Sequence, residues 1–255
     1  RTKMKNIIIP LITLFLTSCT VTNYYQVYKA YPEKGTITND RIVFEDKNCI
    51  VYYNLWSNGG DVGFSIFNKT QEDLQVHLDN SFFVLNGVAY KYFQNRTFTK
   101  SSSLGVASTT TRYPYFWNQP RAQTVGANST SSTAYGEQPT MTIPPSTLIN
   151  ISEYAVTNSR FTDCDLPKYP KAGSPNVLKY DVTNSPFVFS NLITYSTARD
   201  TIRLENKFFI SEIGNFPSTE MFTEVDTTMC GKKLDAPKDV FTKTSPNEFY
   251  ILYTK

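Results

Sequence analysis

Histidine is almost missing from this chain: His77 stands alone among 255 residues. A Ser-His-Asp relay needs an imidazole beside a serine and a carboxylate. Nothing around His77 resembles a nucleophile elbow, and strand alternation turns it away from Leu74, Val76 and Leu78. Metal chemistry is poorly supplied too, because the cysteines are widely spaced and lie far from His77. Glycine and proline number only 11 and 14, too few for global disorder. Gly59, Gly60 and Gly87 sit in turn sequence, not in a phosphate-cradling loop. Asp163, Asp165 and Asp181 are too scattered for a calcium loop. No metal or cofactor is therefore expected. No stretch of a dozen residues keeps a 3.6-residue apolar period, which argues against a helical domain.

A basic excess is also lacking. The net charge of +3 comes from Arg1, Lys3 and Lys5. Taking those three from 25 basic residues leaves 22, against 22 acidic ones. A near-neutral remainder excludes the simplest case for nucleic acid.

Those leading residues belong to a processing signal. Lys3 and Lys5 precede the apolar run Ile7 to Leu16, and Leu16-Thr17-Ser18-Cys19 closes it. A charged start, a short apolar core and a small-residue cleavage site make a secretory signal. The run is too short to cross a bilayer, which takes roughly 20 apolar residues. Met4 is the more natural start of such a signal. The closing tetrapeptide resembles a bacterial lipobox, which implies cleavage before Cys19 and a diacylglyceryl group on its sulfur. Removing 18 of the 255 residues leaves 237, enough for one large β domain or two small ones. Cys49, Cys164 and Cys230 would then lie in an oxidising compartment, where disulfides persist. Cys164 and Cys230 sit in loop-like sequence and are the expected bridge. Cys49 opens an apolar strand and is expected in the core.

The strand signals are dense from Arg41 onward. Val62, Phe64 and Ile66 alternate on one face, as do Leu74, Val76 and Leu78. Asn86-Gly87 is a strong hairpin signal. With 17 tyrosines and 18 phenylalanines, the aromatic content suits pleated sheets. The expected fold is mostly β: an antiparallel β-sandwich, either one large unit or two packed β subdomains. Its expected organisation runs from a signal peptide (1–18) to a lipidated cysteine and tether with a short first strand (19–40). A first β block (41–99), a long Ser/Thr-rich loop (100–140) and a second β block (141–255) follow. The second block is expected to complete the same domain.

Several side chains are candidates for contact. Within the Ser/Thr-rich loop, Tyr113, Tyr115, Phe116 and Trp117 cluster around Pro114. They either pin the loop or offer a surface to a partner. Trp56 joins Trp117 as a candidate sugar-stacking residue. Asp61, Glu72, Asp73, Asp79, Glu153 and Asp181 could supply the carboxylate pair of a hydrolase, which sequence alone cannot bring together.

The lipobox together with FEDKNCIVYYNLW (44–56), DNSFFVLNG (79–87) and NKFFISEI (206–213) resembles uncharacterised lipid-anchored envelope proteins of gut Bacteroidota. The resemblance implies an envelope location and a β-rich fold, and no activity. It also implies attachment to the outer membrane through the lipid. No acidic run follows Cys19, which favours the periplasmic face over the cell surface. Asp200-Thr201-Ile202 and Asp226-Thr227-Thr228 resemble the short O-glycosylation motif of such proteins, with Thr201 and Thr227 as acceptors. The leading expectation is a non-catalytic assembly or accessory module that contacts another envelope protein. A glycan-binding lipoprotein is the alternative, and a carboxylate-based hydrolase the second.

Overall fold

The computed structural model describes residues 21–102, 131–174, 176–226, 228–229, 232–233 and 237–255. Its first strands are β1 (Asn23–Pro32), β2 (Thr36–Ile37), β3 (Ile42–Glu45), β4 (Cys49–Tyr53) and β5 (Phe64–Asn68). Then come β6 (Leu74–His77), β7 (Phe82–Leu85), β8 (Val88–Lys91), β9 (Thr97–Ser102), β10 (Ser131–Gly136) and β11 (Thr140–Ile143). The second half holds β12 (Leu148–Ile151), β13 (Val177–Lys179), β14 (Val188–Ser196), β15 (Thr201–Pro217) and one helical turn, α1 (Ser218–Met221). It closes with β16 (Phe222–Val225), β17 (Thr228–Met229), β18 (Lys232–Lys233), β19 (Lys238–Phe241) and β20 (Glu248–Thr254).

Two antiparallel sheets pack face to face. The larger runs β11-β6-β14-β15-β1-β20, with β7 and β8 added on β14 and β13 on β15. The smaller runs β12-β5-β4-β3-β2. The period-2 pattern explains the pairing of faces. Val51, Phe64 and Ile66 of the small sheet point inward and are buried, while their strand neighbours are half-buried. The Phe208 ring of the large sheet sits 5.3 Å from Phe44, 5.2 Å from Tyr53 and 5.0 Å from Phe189. Burying one such ring stabilises the fold by about 1.5–3 kcal/mol.

Residues 23–32 form an inner strand, β1, held between β15 and β20. Its Gln26 is fully buried, a position that reads as polar surface in the sequence. The Gln26 amide donates to Asn215 Oδ1 at 2.9 Å and to the Phe161 carbonyl at 3.0 Å. Tyr28 donates to Gln26 Oε1 at 2.5 Å. A buried amide with its bonds made costs little, whereas an unpaired one costs several kcal/mol.

The hairpin at Asn86-Gly87 forms between β7 and β8, with φ of +48° and +82°. Both values match a two-residue primed turn. The ends of the Ser/Thr-rich stretch pair with each other as β9 and β10. Residues 103–130, including Tyr113, Tyr115, Phe116 and Trp117, lie outside the described residues, as do Cys19, Thr227 and Cys230.

The expected disulfide is corrected. Cys164 is an exposed free thiol and Cys49 a buried one. Cys164 rides on a tight turn in which the Asp165 N–H donates to Asp163 Oδ1 at 2.9 Å, and that turn holds it at the surface. Polar staples hold the 160–174 excursion instead. Asn215 donates to the Pro167 carbonyl at 2.9 Å, Tyr253 to the Lys168 carbonyl at 2.5 Å, and Tyr169 to the Thr254 carbonyl at 3.3 Å. Leu166 and Pro170 are buried beneath them. Cys49 lies in the core as expected, and burial pushes its thiol pKa up to about 12.

Candidate functional site: a groove beneath an aromatic flap

β15 is long enough to pair with β14, β13 and β1, and a bulge against β1 changes its phase along the strand. Lys29 pairs with Glu212 while Ala30 pairs with Ile210, so Ser211 is the extra residue. Before the bulge Phe208 and Ile210 point into the core; after it Ile213 and Asn215 do. Glu212, Gly214 and Phe216 are thereby turned to the outer face, beside Tyr25, Val27 and Lys29 of β1.

That outer face is partly covered. The chain leaves β15 through α1 and returns over the sheet as the β16–β19 hairpin. Phe222, Phe241 and Tyr250 surround the Tyr25 ring at 5.4, 6.0 and 5.5 Å. Tyr25 is therefore buried although it points away from the sandwich core. Trp56 meets Phe241 edge-on at 5.0 Å and Tyr250 at 5.4 Å. The loop bearing Trp56 is tied down by the Leu55 N–H on the Pro246 carbonyl (2.8 Å) and the Gly59 N–H on the Tyr250 carbonyl (2.8 Å). Gly60 is required there. Its φ is +76°, and a Cβ would meet the Phe249 ring at 2.7 Å.

Between sheet and flap lies a groove of about 350 Å³. Trp56, Val27, Phe216 and Met221 give it apolar surface. The charged part is a cross-strand row: Lys29 pairs in register with Glu212 on one side and Glu248 on the other. Lys29 Nζ lies 3.6 Å from Glu212, and Lys243 and Glu220 complete the rim. Exposed pairs of this kind add at most about 1 kcal/mol to stability. The groove presents both charges beside a tryptophan. Trp56 is half-buried, and its ring stands at 90° to Phe241, so these two do not form a coplanar stacking platform.

A second groove of about 390 Å³ lies on the outside of the small sheet. Its polar groups are already matched with one another. Arg41 pairs with Asp40 at 2.5 Å, Ser65 donates to Asn150 at 2.5 Å, and Ser152 bonds both oxygens of Asp61 at 3.1 and 3.0 Å.

Two of the carboxylates considered for hydrolysis, Asp61 and Glu153, lie near one another, because Asp61 bonds Ser152 and bridges to Ala155. Asp61 is held as above, and Asp181 accepts from the Thr183 N–H and hydroxyl within its own turn. Glu153 meets Glu137, which no sequence signal marks, through Arg96. The guanidinium lies 2.5 Å from each, with side-chain exposures of 18, 7 and 12% for Arg96, Glu137 and Glu153. Glu137 also receives the Gln94 and Arg96 N–H groups at 2.9 and 3.1 Å. Burial alone would raise its pKa, but the guanidinium and those two N–H groups outweigh burial and lower it. Burial dominates at Glu153, whose pKa is raised against the pull of Arg96. Neither groove is lined by this cluster; it joins the roots of β9 and β10 to the 153–154 segment.

His77 is half-buried, with Nε2 2.8 Å from Ser196 Oγ. Among the described hydrogen bonds no carboxylate orients its other nitrogen. Thr201 lies exposed at the start of β15. Comparisons with protein-family models, curated proteins and solved structures found no match to this chain.

Proposed function

We propose that this chain is a lipid-anchored protein of the bacterial cell envelope, held to the outer membrane through Cys19. It works there as a non-catalytic accessory module and takes a segment of a partner protein into the groove beneath the flap. The lipobox and the resemblance to Bacteroidota lipoproteins supply the address, with the periplasmic face favoured. One observation carries the role: Trp56 stays half-open beside the Glu212–Lys29–Glu248 row, at the lip of the β16–β19 hairpin and not inside the core. A half-open tryptophan flanked by charges is the composition of an interface anchor. An anchored module also raises its effective concentration near other membrane components without new contacts.

The test is a photo-crosslinking residue placed at Lys243 on the groove rim, in the native membrane, with one at Leu148 on the small sheet as control. The reading expects a discrete protein adduct from position 243 and none from 148. Adducts to glycan alone at position 243 would move the function to sugar binding. No adduct at 243 would remove the groove from consideration.

A further inference from the structure

The domain end nearest the anchor has a surface of its own. β1 begins at Asn23 and β20 finishes beside it, with Asn23 opposite Thr254 and the Lys255 N–H donating to the Thr22 carbonyl at 3.1 Å. The Tyr169 ring packs there against Tyr24 and Tyr253, at 5.1 and 6.2 Å. Cations cover these rings. Lys168 Nζ lies 4.9 Å and Lys255 Nζ 5.3 Å from the Tyr169 centroid, and Arg160 lies 5.4 Å from that of Tyr253. Val21 beside them is 69% exposed. The nearest acids in the same excursion are Asp163 and Asp165, on the turn preceding Leu166.

We propose that Val21, Arg160, Lys168, Tyr169, Tyr253 and Lys255 seat this end of the sandwich on the headgroups of an anionic bilayer. The inference rests on the lipid-anchor reading. Cys19 is two residues from Val21, so its lipid cannot lie more than about 7–8 Å of chain away. Lipidation at Cys19 therefore keeps this end of the sandwich beside the headgroups, where surface charge is felt. Tyrosine favours that boundary because its ring is apolar and its hydroxyl is wet. Lysine and arginine are drawn to anionic lipid there. A single chain attachment leaves a domain free to swivel; this patch holds it upright, with the strands of the large sheet running away from the membrane.

The test uses the mature lipoprotein extracted from its membrane and added to preformed vesicles. One set is phosphatidylcholine and the other phosphatidylcholine with a quarter phosphatidylglycerol. Lysines are acylated under pulse conditions and read by mass spectrometry. Lys168 and Lys255 should react about fivefold more slowly on the anionic vesicles than on the neutral ones. Lys91, on β8 at the opposite edge of the large sheet, should react equally on both. Equal rates at Lys168 and Lys255 on the two vesicles would overturn the proposal. The same digest reports the mass of the Cys19 peptide. A lipidated peptide with unprotected lysines removes the patch and leaves the anchor standing; an unmodified peptide removes the anchor, and the patch with it.

Discussion

The two faces of β1 are covered by different means. Its inner face is closed by the 160–174 excursion and by aromatic stacking, with Phe161 bonded to Gln26 and Tyr28 and with Tyr28 against Phe249 at 4.7 Å and 6°. Its outer face is closed at Tyr25 by a folded-back hairpin and left open two to four residues later, at Val27 and Lys29. Interior packing tolerates no gap, because each lost contact has no partner to replace it. A covering hairpin can leave space, and that space is the groove. The contrast places tight packing on one side of the strand and an open groove on the other.

Four substitutions would sharpen or break that contrast. Phe208→Ala should cost most, about 3–5 kcal/mol in urea unfolding, since its ring touches both sheets. A loss under 1 kcal/mol would mean the sheets are not tightly packed there. Arg96→Ala should follow at about 3 kcal/mol, because it strands two buried carboxylates. Trp56→Ala should cost about 1–2 kcal/mol, given its half-burial, while abolishing adducts from the groove rim. Cys164→Ser should stay within about 0.5 kcal/mol, and unfolding of the parent should be insensitive to reductant, as expected for an exposed free thiol. A large loss on reduction would restore the bridge that this structure lacks.

The Arg96 cluster makes a pH prediction. Glu137 has a folded pKa below its ordinary value of 4.5, so its stabilisation is present above that pH and lost as pH falls through the folded value. Glu153 is raised, so its penalty at higher pH disappears on acidification. The two oppose each other. In Glu153→Gln the stability gained on acidification down to about pH 4.5 should disappear, so the slope of stability against pH above 4.5 should change while the Glu137 loss below 4.5 remains. An unchanged slope would show that Glu153 is not held as described.

The sequence reveals the inner faces and conceals the outer one, for physical reasons. Val62, Phe64, Ile66, Leu74 and Val76 alternate with polar neighbours, and burial follows that alternation. Asn86-Gly87 encodes its turn in two residues. Gln26 carries no such local mark, because its partner Asn215 is 189 positions away. The Ser211 bulge is equally silent, yet it decides that Glu212 and Phe216 face the groove. Glu137 and Arg96 meet across a long Ser/Thr-rich stretch whose composition hides both. Trp56 stands out in the sequence by residue type alone; its neighbours Lys29, Glu212 and Lys243 come together only through strand order. The Cys164–Cys230 expectation failed because loop character does not distinguish a bridged cysteine from one displayed on a turn.

The most direct test of the role proposed for the groove blocks it and leaves the fold alone. Thr242 is exposed at the groove's lip, so Thr242→Trp adds bulk there without touching the core. The variant and the parent are purified from native membranes at matched levels, and stoichiometric co-purifying protein is measured alongside Tm. The account predicts a partner recovered with the parent and lost from Thr242→Trp, at a Tm within about 2 °C of the parent. Equal recovery of the partner with both proteins would contradict it.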